Sequence, residues 1–280
     1  MIIDGKKEAE VLREEIKKEI ISIKKKTNRV PGLAVILIGE HIPSQIYVKN
    51  KEKNSKEVGI NFNLIKYSHD VSQEEVLNKI KELNNDNSIS GILVQLPLPD
   101  QIRQVRIINS IDPSKDVDGF SPINVGNLAS GYNGIVPCTP KGCLMLIKKI
   151  EKNLSGKHAV IIGRSNLNGK PIAQLLLKEN CTITITHSKT KNLKEKCLKA
   201  DILVAAVGVA NLVKKDWVKD GSIIIDVGIN KQGDKIVGDV SFEEVKNKVK
   251  AITPVPGGVG PMTIACLLKN TLECFKARLT

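Results

Sequence analysis

Aromatic residues are scarce: four Phe, three Tyr and one Trp make up 3% of the 280 residues. That leaves little stacking surface for single-stranded nucleic acid, and no zinc-knuckle, RRM or basic-zipper pattern occurs. The formal charge of +13 therefore does not by itself mark a nucleic-acid face. Its lysines are spread over amphipathic stretches such as 79–82, 148–152 and 246–250, as on solvated helix faces. Small anionic ligands fit such a surface.

The six cysteines (Cys138, Cys143, Cys181, Cys197, Cys266, Cys274) contain no C-x-x-C pair, and the four histidines stand apart. Neither a structural zinc nor a redox dithiol is expected, no metal site is assigned, and the thiols read as reduced and buried. The N-terminus MIIDGKKEAEVLREEIKKEI lacks the apolar core of a signal peptide. The longest apolar stretch, 202–213, contains Gly208 and Asn211 and is too short to span a bilayer. The expectation is a cytoplasmic protein with no membrane partner.

What is present is an alternation of strand and helix patterns with short breaks, which predicts an α/β protein with parallel sheets, and the length suits two domains. Helices are expected over 8–26, 44–58, 72–84, 141–152, 170–179, 193–200 and 264–276, with Ser44 and Ser72 as caps. Strands are expected over 33–38, 62–67, 91–96, 159–162, 182–186, 202–207 and 223–227. The turn-rich stretch 112–139 reads as the interdomain boundary. The segment TPVPGGVGPMT, 253–263, with three prolines and three glycines, reads as irregular chain held near a ligand or a domain junction.

In AVIIGRSNLNGKPIA a glycine-rich turn joins a buried strand to a helix, where helix N-terminal amides can receive a diphosphate. The spacing Gly163-x-Ser165-x-x-x-Gly169 departs from G-x-G-x-x-G, so the strand-to-helix context carries the dinucleotide reading against a merely structural turn. The following strand runs into His187-Ser188-Lys189-Thr190-Lys191, without the acid that would hold a ribose 2′-hydroxyl. With Arg164 nearby, a hydroxyl and two lysines suit a 2′-phosphate, and NADP is expected rather than NAD.

Tyr47 and Lys51 stand four apart on one helical face and could flank a single ligand. Among Lys49, Lys53 and Lys56, however, Lys51 alone reads as a surface lysine. Gln95 ends a strand at the edge where open α/β sheets bind ligands, and a structural capping role stays equally open for it. Asp116 and Asp118 in KDVDGF lack the rest of a calcium loop, and an Asx-turn is the plainer reading.

The segments IIDGK, PGLAVILIGE, SQIYVKNK, GILVQLPLP, KDVDGF, PCTPKG, GRSNLNGKP, HSKT, IDVGIN, VGDV and ITPVPGGVGPMT follow one another along nearly the whole chain. In this the sequence resembles the bifunctional methylenetetrahydrofolate dehydrogenase/methenyltetrahydrofolate cyclohydrolase family. One departure is Asn168, where the family commonly carries Val. The resemblance implies an N-terminal folate-binding domain over 1–139, closed by the C-terminal helix 262–280, and a Rossmann NADP-binding domain over 140–261 that forms a homodimer. It implies NADP-dependent oxidation of 5,10-methylenetetrahydrofolate and hydrolysis of the product to 10-formyltetrahydrofolate, in one-carbon metabolism and purine biosynthesis. Carried onto this chain, it makes Lys51 the catalytic lysine, with Tyr47 stacking on the folate, Gln95 supporting Lys51, and Asp118 holding the pterin. Gly163, Arg164, Ser165, Ser188 and Ile229 fall at the NADP site, and Gly257, Gly258 and Pro261 at the folate border. The competing reading is a non-catalytic Rossmann protein that binds NADP or nucleic acid.

Overall fold

The computed structural model describes residues 1–279. From the N-terminus, α1 (Gly5–Thr27) leads to β1 (Gly32–Ile38), α2 (Ile42–Val58), β2 (Asn61–Tyr67), α3 (Gln73–Asn85), β3 (Gly91–Val94), α4 (Gln104–Ser110) and α5 (Pro122–Ser130). There follow α6 (Cys138–Ile150), β4 (His158–Ile162), α7 (Gly169–Lys178), β5 (Thr182–Thr186), α8 (Leu193–Cys197), β6 (Ile202–Ala205) and β7 (Ile223–Asp226). The chain ends with β8 (Asn230–Gln232), β9 (Lys235–Val237), α9 (Phe242–Val245), β10 (Ala251–Ile252) and α10 (Val259–Lys276).

Two compact units result. One comprises Glu10–Asn127, Tyr132–Cys138 and Ile264–Thr280; the other comprises Met1–Ala9, Leu128–Gly131 and Thr139–Thr263. The first is built on a parallel sheet of order β2-β1-β3. Its middle strand, GLAVILI, is buried at every position, as a run of apolar residues covered on both faces must be. Ala34, Ile36 and Ile38 pack with Val76, Ile80 and Leu83 of α3 and with Ile92 and Val94 of β3. Ser72 caps α3 by accepting from the Glu75 amide at 3.2 Å, as the sequence spacing predicts. Lys269 and Lys276 of α10 pair with Glu19 of α1, so the C-terminal helix completes this unit.

The second unit carries a five-stranded parallel sheet of order β10-β7-β6-β4-β5. The carboxyl ends of β4, β5, β6 and β7 lie at one edge, which brings the loops after Ile162, Thr186, Ala205 and Asp226 side by side. The N-terminal residues join the opposite flank: Ile2 bridges Ile252 in parallel, and the Ile3 amide donates to Ile252 O at 2.8 Å.

Several local expectations need correction. Ser44 is not a helix cap: Pro43 occupies the first turn, α2 opens at Ile42 after His41, and the buried Ser44 hydroxyl lies 2.9 Å from His41 Nδ1. The stretch 112–139 is not all turn, because α5 starts behind a Ser121-Pro122 step whose hydroxyl accepts from the Asn124 amide at 3.2 Å. The stretch 253–263 is irregular only to Gly258; α10 then begins with Pro261 in its first turn, where a missing N–H leaves no bond unmade. The charged stretches behave as solvated faces: Lys148 pairs with Glu179, Lys149 with Glu8, Lys246 with Glu243 and Lys250 with Glu151. Among the described residues, no helix is long and apolar enough to cross a membrane.

Candidate active site

Buried Ser44, Val48, Ser55 and Val58 define the inner stripe of α2, and Lys51 lies on that stripe three residues past Val48 and four before Ser55. This corrects the reading of Lys51 as an ordinary surface lysine. Its Nζ donates to Gln95 Oε1 at 2.9 Å. Gln95 comes off the end of β3, with its amide donating to Ile36 O at 2.9 Å and its Nε2 to Leu96 O at 2.7 Å. With those bonds made, Oε1 is fixed toward the lysine. Tyr47, one turn earlier on α2, is 39% exposed, which leaves ring surface open to a ligand.

The loop carrying Asp118 lies beside β3, through a bridge between Ile92 and Asp116 and a 2.8 Å bond from the Ile92 amide to Lys115 O. Asp116 is the turn-former: it accepts from the Gly119 and Ser121 amides at 3.0 and 2.7 Å and from Asn124 Nδ2 at 3.0 Å. Asp118 is thereby left available to the lysine. Behind the loop, Asn270 of α10 donates to Val117 O and Val136 O at 2.8 and 2.9 Å. The Cys138 thiol lies 3.2 Å from Val117 O. Sequence reasoning gave no role to Asn270; its signal is an Asn at a fully buried helix position, where a polar group needs partners.

Lys51 and Asp118 each keep some accessible surface while lying deep in the protein mass. Burial pushes the Lys51 ammonium below the ordinary lysine value, with the Asp118 charge opposing the shift. Burial pushes the Asp118 carboxyl up to about 6, against the attraction of Lys51. Burial also raises the Tyr47 phenol. Lys51 is thus biased toward the neutral amine, the form that can accept a proton.

In the other unit, Gly163 closes β4 with φ +118° and its amide donates to Thr186 O at 3.0 Å. A Cβ there would come 2.4 Å from Ala206 O, and one at Gly169 would come 2.2 Å from Gly163 O. Only glycine allows this tight strand-to-helix passage. Ser165 Oγ accepts from the Asn168 and Gly169 amides at 3.1 and 3.4 Å. The Asn168 backbone is therefore held although its side chain makes no cap bond. Arg164, Ser188, Lys189 and Lys191 are exposed at the same sheet edge, and no acid follows β5 there. A glycine turn at the strand ends, with cations and hydroxyls free of acidic competition, fits a dinucleotide carrying an extra phosphate. Ile229, 55% exposed, stands on the loop after β7. Gly257, Gly258 and Pro261 belong to this unit too, where Gly257 O accepts from the Lys6 amide at 3.1 Å. The four residues Tyr47, Lys51, Gln95 and Asp118 belong to the first unit.

A parallel-sheet dinucleotide unit and a second unit with a lysine–glutamine–aspartate cluster define a two-domain, nucleotide-dependent α/β enzyme. Residues 3–118 match the tetrahydrofolate dehydrogenase/cyclohydrolase catalytic domain, and residues 137–279 match the NAD(P)-binding domain of the same description. The chain belongs to the tetrahydrofolate dehydrogenase/cyclohydrolase family. It is 66% identical over 276 residues to the bifunctional protein FolD of Pelagibacter ubique, covering 99% of this chain and 98% of that one. The structure of the bifunctional FolD dehydrogenase/cyclohydrolase of Campylobacter jejuni superposes with a TM-score of 0.97 at 49% identity, covering 99% of both chains. That of the Trypanosoma brucei enzyme, complexed with NADP and an inhibitor, gives a TM-score of 0.96 at 36% identity, covering 100% of this chain and 98% of the other. A non-catalytic binding role is not favoured by this membership.

Proposed function

We propose that the protein oxidises 5,10-methylenetetrahydrofolate to the 5,10-methenyl form with NADP and hydrolyses that product to 10-formyltetrahydrofolate. The observation that carries the reading is the Lys51 Nζ to Gln95 Oε1 bond beside Asp118, inside a folate-family domain. Gly163, Arg164, Ser165, Ser188 and Ile229 would hold NADP, which when bound supplies the hydride acceptor. As hydride leaves the methylene bridge, positive charge spreads over the two flanking nitrogens, so this step asks the chain for orientation rather than proton removal. Tyr47 would stack on the folate and Asp118 would hold the pterin. Hydrolysis adds water to the cationic amidine carbon and releases one proton; the carbon–N5 bond of the hydroxy adduct then breaks, N5 taking the hydroxyl proton, to leave the 10-formyl group. Lys51, neutralised in part by burial and by the nearby substrate cation, accepts the released proton, and Gln95 aims its amine.

A homodimer through the NADP unit is part of the same reading. β5 is an edge strand with Ile185 40% exposed, a surface that a second copy can cover. Cytoplasmic location and a place in one-carbon metabolism and purine biosynthesis belong to the same reading. The test mixes the purified protein with methylenetetrahydrofolate and NADP and follows absorbance, then supplies methenyltetrahydrofolate alone. Growth of reduced NADP and loss of the methenyl chromophore are the expected results; absence of both would overturn the reading.

A further inference from the structure

The IDVGIN and VGDV segments meet in a reciprocal arrangement of two buried carboxylates, Asp226 and Asp239. Asp239 Oδ2 accepts from the Val207 and Gly208 amides at 2.7 and 3.1 Å, and Oδ1 from the Val209 amide at 2.9 Å and Asn230 Nδ2 at 3.0 Å. Asp226 Oδ1 accepts from the Gly228 and Asp239 amides at 3.0 and 2.9 Å, and its Oδ2 from the Val240 amide at 2.9 Å. A Cβ on Gly228 would come 2.1 Å from Asp239 Oδ1, and one on Gly238 would come 1.8 Å from Asp226 Oδ2. Each carboxylate thus fills the space left by the glycine beside the other.

The loop so held contributes little to the core: Val207 and Val209 are 36% and 49% exposed, and Gly208 and Ala210 are exposed as well. Three successive amides turned onto one buried carboxylate fix backbone direction rather than bury side chains. The loop stands at the carboxyl end of β6, against the Gly163 turn through Ala206 O, while Asn230 ties in the loop that bears Ile229. Val207, whose Cγ1 would lie 3.4 Å from a Cβ on Gly163, stands against the glycine turn, and Val209 and Ile229 are exposed on the loops after β6 and β7 at the same strand-end edge.

We infer that Asp239, itself set by Asp226, is a positioning residue that holds the 207–209 loop and Ile229 as the apolar wall of the dinucleotide site. The inference rests on reading this unit as the NADP site. Without the brace the loop must be ordered at the moment of binding, and that ordering costs affinity. Asp239→Asn keeps the shape but replaces one acceptor oxygen by an NH₂ that faces backbone donors.

The experiment measures NADP binding by calorimetry and amide hydrogen exchange in the unliganded protein, for wild type, Asp239→Asn and the milder Asn230→Ala. In Asp239→Asn the NADP dissociation constant should rise about tenfold or more. The 207–209 amides should exchange faster than in wild type while the sheet amides are unchanged, and cofactor-free hydrolysis of methenyltetrahydrofolate should be retained. Asn230→Ala should weaken NADP about two- to threefold at unchanged melting temperature, and it decides the matter if Asp239→Asn does not fold. Unchanged NADP affinity, or a uniform rise in exchange with loss of both activities, would overturn the proposal. Wild-type protein that fails to bind NADP would instead overturn the cofactor reading, and the proposal with it.

Discussion

Lys51 donates to Gln95 across 2.9 Å, one side chain from the inner stripe of a helix and the other from the end of a buried strand. Gln95 is not free to turn away, because its Nε2 also donates to Leu96 O.

Lys51→Met should lower hydrolysis of methenyltetrahydrofolate by about 10²- to 10⁴-fold, the range for a positioned acid–base group. Some dehydrogenase should survive, since hydride departure needs no proton acceptor. Assays of the two half-reactions on the folded variant check this, and full cyclohydrolase activity would remove Lys51 from the mechanism.

Gln95→Leu takes away the carbonyl that stabilises the ammonium form. The amine fraction then grows at a given pH, so the acid limb of the cyclohydrolase profile should move to lower pH while the maximal rate falls. A pH–rate profile of the variant beside wild type reads both effects.

Asp118, pushed up to about 6 by burial, holds a proton in the folded state that the unfolded chain has lost. Its favourable contribution is present below about pH 4 and disappears as pH rises through 6. Asp118→Asn, which cannot ionise, should gain stability relative to wild type between about pH 4.5 and 7.5, on the order of 2 kcal/mol. Denaturant unfolding at the two pH values measures the difference; a constant difference would contradict the shift.

Replacing Arg164 and Ser188 together by Ala should weaken NADP far more than NAD, by roughly 1.5 to 3 kcal/mol for each charge-assisted hydrogen bond removed. Equal weakening of both cofactors, measured by titration, would remove these residues from the 2′-phosphate.

Activity should persist after dialysis against a strong chelator. Among the described residues no group of three or more His, Cys, Asp or Glu is placed to hold a metal ion, and the hydride step develops no oxyanion to neutralise. Loss on dialysis with recovery on adding one divalent ion would refute this.

The strand–helix alternation was legible because LAVILI (33–38) and AVII (159–162) are continuous apolar runs, and these lie in β1 and β4. Gly163, Gly169 and the missing acid after β5 likewise carry the dinucleotide reading in one dimension. By its local pattern alone Lys51 reads as a surface lysine, because three neighbouring lysines hide it and only the phase of Ser44, Val48, Ser55 and Val58 turns it inward; the family resemblance is what singles it out. The Asp226–Asp239 brace did not show itself, because its two halves lie thirteen residues apart and meet only when the strand ends align. Short α5 was hidden by Gly126 and by the lack of any charged residue to mark an outer face.

The pairing of Ile3 with Ile252 carries a consequence for synthesis on the ribosome. Met1 donates its terminal amine to Lys250 O across a sequence separation of 249 residues. Residues 1–3 must therefore wait, unpaired, until the segment around residue 252 has been made. Pairings of such separation form late and slowly. A nascent chain arrested near residue 240 should leave residues 1–3 open to protease, and extension past residue 252 should close that window.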